Sequence, residues 1–116
     1  MPSLIIILGL SRGFFLNKME TLFEVNDKTG RAIRLTEKQW THITTIHAEM
    51  TNYLEEIKQT VINPQKMILH SRKDDLNFYY TYQKHRRHPE KFLRVIVKYL
   101  NNNGFVITAQ FVRNIK

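Results

Sequence analysis

Phe92-Leu93-Arg94-Val95-Ile96-Val97-Lys98-Tyr99-Leu100, Asn101-Asn102-Asn103-Gly104 and Phe105-Val106-Ile107-Thr108-Ala109-Gln110-Phe111-Val112 follow one another near the end of a 116-residue chain. Two apolar-rich runs of strand length flank an Asn-Gly step, a strong β-hairpin signal because both residue types accept positive φ. Alternation with period two assigns the faces. In the first run Leu93, Val95, Val97 and Tyr99 share one side, with Phe92, Arg94, Ile96 and Lys98 on the other. In the second, alternation groups Phe105, Ile107, Ala109 and Phe111 opposite Val106, Thr108, Gln110 and Val112. The apolar sides are expected beneath helices, which leaves an open face bearing Arg94, Lys98, Thr108 and Gln110.

Working back from this hairpin, Leu76–Tyr82 and Met67-Ile68-Leu69-His70 read as further strands, joined by the polar stretch Ser71-Arg72-Lys73-Asp74-Asp75. Short connections between successive strands make the sheet mainly antiparallel. Upstream, Trp40, Ile43, His47, Met50, Leu54, Ile57 and Val61 recur at spacings of three and four, the stripe of an amphipathic helix. Thr36 followed by Gln39 fits a capping box at its start, and Asn63-Pro64 ends it. The span is long for one helix, so a break near His47 into two is the alternative. Leu22-Phe23-Glu24-Val25 and Ala32-Ile33-Arg34-Leu35, separated by Asn26-Asp27-Lys28-Thr29-Gly30, form a first hairpin. The expected fold is therefore α+β: an N-terminal β-hairpin, then one long or two short helices packed on a mainly antiparallel four-stranded sheet.

Residues 1–18 stand apart. Their apolar run Leu4-Ile5-Ile6-Ile7-Leu8 is too short for a bilayer span, which needs ~20 apolar residues. It also lacks the preceding positive charge of a signal peptide. Regular patterning starts at Met19, the expected true start, with an added N-terminal strand as the alternative and a single domain over residues 19–116.

At 42% hydrophobic and 24% charged, the chain has a globular composition. It contains no cysteine, which excludes disulfides, thiolate metal sites and a cysteine nucleophile and suits a cytoplasmic location. The net charge of +8 is one-sided. Residues 1–65 balance seven bases against seven acids, whereas residues 66–116 hold eleven bases against Asp74, Asp75 and Glu90. Such a surface attracts polyanions, so RNA or DNA is the leading partner class.

Gly30-Arg31-Ala32-Ile33 after an acidic hairpin, then Trp40-Thr41-His42-Ile43 and His47-Ala48-Glu49-Met50, resemble motifs of phage-associated nucleases in the barnase, EndoU, colicin RNase and RelE superfamily. The resemblance covers about residues 22–116, with Ala48 where the family has proline. It implies a metal-independent endoribonuclease without cofactor, of a kind found among toxins and mobile-element nucleases. The superfamily also contains proteins that bind RNA without cutting it. An acidic antitoxin or immunity protein docked on the basic face is a further expected partner class.

Metal-independent RNA cleavage needs a base for the 2′-hydroxyl proton, an acid for the 5′ oxygen, and cations for the phosphorane. His42 and His47 are the candidate proton carriers. They lie about 140° apart round a regular helix, so they form no metal pair. Arg94 is the candidate grip on the scissile phosphate and Thr108 a donor beside it. Tyr80 and Tyr82 are candidates for stacking on bases. Arg34, Lys84, Arg86, Arg87, Lys98, Gln110 and Arg113 complete the expected nucleic-acid contacts.

Overall fold

Strands form where the alternating runs lie, and caps and a proline bound the helical segment between them. The computed structural model describes residues 21–71 and 75–115. In chain order these residues form β1 (Thr21–Asn26), β2 (Ala32–Thr36), α1 (Glu37–Ile46), a 3-10 turn (Ala48–Asn52), α2 (Leu54–Ile62), β3 (Lys66–Ser71), β4 (Leu76–Tyr82), β5 (Phe92–Leu100) and β6 (Asn103–Val112). The apolar extension expected over residues 1–18 lies outside the described residues.

The helical segment is two helices. Thr36 Oγ1 accepts the Gln39 backbone N–H at 3.1 Å, the N-cap expected of the capping box. α1 ends at Ile46, and the backbone N–H of His47, its C-cap, reaches back to the Ile43 carbonyl at 2.7 Å. With Ala48 in place of proline, the break comes from packing: the intervening turn brings Met50 into the core beside Ile43 and Ile57, all fully buried. α2 stops at Ile62, one residue short of Asn63-Pro64.

The four-stranded sheet is corrected to six strands in the order β1-β2-β6-β5-β4-β3. The N-terminal hairpin is part of that sheet. β2 pairs with β6 in parallel, with Ala32 opposite Asn103 and Arg34 opposite Phe105, and the other four pairings are antiparallel. Ile33 and Leu35 on β2 are fully buried, and only beside β6 do they reach the helices. Pairing also covers an edge of β6 that would otherwise expose unpaired backbone groups.

Two local readings along β6 also change. Ile96 pairs with Thr108 but Val97 with Val106, so Ile107 is an extra residue at a β-bulge. Gly104 and Val106 therefore join Ala109 and Phe111 on the buried side, and Phe105 moves to the open side opposite Lys98. Gln39 accommodates the irregularity: its side-chain amide donates to the Ile107 carbonyl at 2.6 Å. The hairpin turn sits earlier than the Asn-Gly step. Asn101 and Asn102 take φ of 50° and 69°, the two positive values of a type I′ loop, and Leu100 faces Asn103.

Gly104 thus lies inside a strand, where close approach requires it. A Cβ there would stand 2.8 Å from Tyr99 Cε1 and 3.0 Å from both Ile33 Cγ1 and Val97 Cγ1. Gly104→Ala is expected to lower stability by ~1–3 kcal/mol, the usual cost of overpacking a filled core. Urea unfolding of the two proteins measures it, and an unchanged midpoint would refute the close-approach account.

Candidate nucleic-acid interface

Ile43, Met50, Ile57 and Val61 pack on Leu93, Val95, Val97 and Ala109, so the helices cover one face of the sheet. The side chains between those positions point to the other face. Sheet register sets them in rows: Tyr80, Arg94 and Gln110 in one, Phe78, Ile96 and Thr108 in the next, Tyr82, Phe92 and Val112 at one end. Towards the opposite end, Leu76, Lys98, Phe105 and Arg34 stand side by side across four strands. Seven of the residues singled out in the sequence, Arg34, Tyr80, Tyr82, Arg94, Lys98, Thr108 and Gln110, thus share one face.

Within this face the side chains are not equivalent. Arg34 donates to Glu24 Oε1 at 2.9 Å, so its charge is largely compensated. Lys98 is exposed. Arg94 is half-buried, makes no ion pair with a carboxylate among the described residues, and has a buried Nε without a hydrogen-bond acceptor. Its guanidinium lies 5.2 Å from the centre of the Phe78 ring. Tyr82 is 46% exposed, whereas Tyr80 is fully buried with its hydroxyl unpartnered. Only Tyr82 of the two offers a ring for base stacking.

The remaining candidates lie elsewhere. His42 is exposed on α1, and His47 is half-buried at the junction after it. Both belong to the helical layer, across the sheet from Arg94, so they and Arg94 do not form one site. Lys84 and Arg87 are exposed in the β4–β5 loop, near the sheet end where Tyr82 meets Phe92, and Arg113 follows Val112 at that same end. Arg86 closes the core from this loop. Its guanidinium lies 3.7 Å over the Phe111 ring and its Nε donates to the Glu90 carbonyl at 2.8 Å.

A second polar cluster escapes the sequence reading altogether. Asp27, nearly buried in the β1–β2 turn, accepts from the Thr29 backbone and hydroxyl and from the Arg31 backbone through Oδ1. Tyr99 donates to its Oδ2 at 2.7 Å. With that proton committed, the Tyr79 hydroxyl donates to Tyr99 across 2.5 Å. Arg31 stacks 3.6 Å from the Tyr99 ring centre, with its Nε 3.5 Å from Asp27 Oδ2. The adjoining cavity of about 220 Å³ is lined by Arg31, Lys66, Met67 and Tyr79 among others. Each Asp27 oxygen already has protein donors, so the cluster serves the fold. No spacing rule brings residues 27, 79 and 99 together; the six-stranded topology does.

Among the described residues no helix is long and apolar enough to cross a membrane, and no group of three His, Asp or Glu side chains is placed to hold a metal ion. Comparison with protein-family models, curated proteins and solved structures finds no match to this chain.

Burial raises the Asp27 carboxyl pKa, but the hydrogen bonds from Thr29, Tyr99 and Arg31 outweigh it and leave the group below its ordinary value of 3.8. Burial, with the bonded acid beside it, pushes the Tyr99 hydroxyl up. A depressed carboxyl stabilises the fold above its unfolded pKa, and that contribution disappears as pH falls through the folded value. Stability is therefore expected to fall on acidification below about pH 4. Asp27→Asn should flatten that acid limb and cost ~1–3 kcal/mol at neutral pH. Thermal melts from pH 7 to pH 2.5 compare them; parallel curves would refute the assignment.

Proposed function

We propose that the open sheet face binds RNA and that the domain cleaves the bound phosphodiester without a metal cofactor. Arg94 carries this reading. A half-buried guanidinium with no carboxylate partner among the described residues and an unfilled donor is costly in isolation, and a phosphate supplies the charge and acceptors it lacks. Its surroundings suit the same ligand. Gln110 and Thr108 offer neutral donors in the same and adjacent rows, Lys98 adds a cation, and Tyr82 and Phe92 pack at 5.2 Å as an aromatic end for an unstacked base. Exposed Lys84, Arg87 and Arg113 extend the positive potential beyond that end. Cleavage is what the motif resemblance adds. The absence of His42 and His47 from the face means that the proton carrier for it is another residue.

The experiment is RNA binding and cleavage in EDTA by the wild type, Arg94→Ala and Arg94→Lys. Loss of a charge-assisted contact worth ~1.5–3 kcal/mol lowers affinity ~10–100-fold, and the salt dependence falls by about one phosphate contact. Arg94→Lys retains charge without the fork and should restore only part of the loss. Affinity indifferent to Arg94 and to salt would overturn the binding site, and tight binding without cleavage would make the protein an RNA-binding module.

A further inference from the structure

His70, on edge strand β3, presents its ring to the open face. The imidazole stacks on Phe78 with ring centres 4.5 Å apart and planes 15° from parallel. Phe78 is also the ring beside which the Arg94 guanidinium lies, and it stands in the row of Ile96 and Thr108. One aromatic side chain therefore separates the half-buried cation from an exposed imidazole. All five histidines of the chain are described. His42 and His47 are in the helical layer and His85 and His88 in the β4–β5 loop, so His70 is the one whose ring is seen packed on this face.

We propose that His70 is the general base of the cleavage reaction, an assignment that rests on the RNase reading above. With a phosphodiester held by Arg94, an imidazole nitrogen of His70 takes the 2′-hydroxyl proton. The 2′ oxygen bonds to phosphorus, the bond from phosphorus to the 5′ oxygen breaks, and the departing 5′ oxygen takes a proton from water. The products are a 2′,3′-cyclic phosphate and a 5′-hydroxyl. Phe78 acts as a positioning residue, because stacking limits the imidazole to one plane while leaving its nitrogens at the ring edge. Alternation along β3 brings this residue to the face, since Lys66 and Ile68 pair with Tyr80 and Phe78 there and His70 follows two positions on.

The test compares wild type, His70→Ala, His70→Gln and the double variant His42→Ala/His47→Ala on one fluorescent single-stranded RNA in EDTA, following cleavage and anisotropy separately. His70→Ala and His70→Gln should cleave ~10²–10⁴-fold more slowly, as expected for loss of a proton-transfer group. RNA affinity should change less than about threefold, below the ~10-fold step of one hydrogen bond. Added imidazole should restore cleavage to His70→Ala, and the double variant should cleave like wild type. Undiminished cleavage by the His70 variants would overturn this assignment and leave the RNase reading standing. Parallel loss of binding and cleavage, with no rescue by imidazole, would overturn it by making His70 a stacking platform. Binding by wild type without any cleavage would overturn both the assignment and the RNase reading.

Discussion

At Ile107 β6 carries one residue more than β5 has to pair with it, and the chemistry of both sheet faces depends on that insertion. Continuing the pairing of Gly104 with Tyr99 and Val106 with Val97 without a bulge would carry Thr108 and Gln110 under the helices. The extra residue reverses the alternation, so Val106 and Ala109 both enter the core while Thr108 and Gln110 line up with Ile96 and Arg94. The helical layer helps to hold the bulge through the amide of Gln39, three residues into α1. A polar side chain at the foot of the helical layer thereby fixes which residues the far side presents.

The two faces divide the polar work of the molecule. On the helix side, Tyr79, Tyr99 and Asp27 form a closed chain in which each hydroxyl proton is committed and the carboxylate is saturated, leaving nothing over for a ligand. On the open side, Arg94 and Tyr80 keep buried polar atoms without partners among the described residues. Buried donors are almost always satisfied in folded proteins, so an unsatisfied pair at the centre of one face sets it apart from the saturated cluster on the other. The cost of leaving them so is tolerated because the saturated chain and the apolar core secure the sheet from the other side.

Much of this was legible from the residues. β4 and β5 lie where alternation put them, the Thr36 cap and the proline bound the helical segment, and the grouping of Arg94, Lys98, Thr108 and Gln110 follows from period two. The start of β6 departs from period two, because a single inserted residue leaves no mark in composition and Val106 is as apolar as the Phe105 and Ile107 that alternation puts in the core. The hairpin turn was displaced because three asparagines in succession each tolerate positive φ, and the bulky flank of Tyr99 decided in favour of keeping Gly104 in the strand. The parallel pairing of β2 with β6 and the Asp27–Tyr99 bond join residues some seventy positions apart, which no local pattern records. His70 is the last residue of a short apolar run, and its stacking on Phe78 exists only once β3 and β4 are paired.

The parallel pairing of β2 with β6 also has a bearing on how the chain is made. β1 and β2 leave the ribosome early, form a hairpin that cannot bury Ile33 and Leu35 by itself, and must wait for β6 before the sheet can close around them. Contacts of such long sequence separation slow folding because loop-closure entropy is spent before the contacts form. During that interval a two-stranded ribbon with an apolar side is exposed to other chains. The acidic residues Glu24 and Asp27 and the cations Lys28, Arg31 and Arg34, gathered in one hairpin, are the kind of charges that keep such an exposed edge from pairing with a neighbour while synthesis finishes.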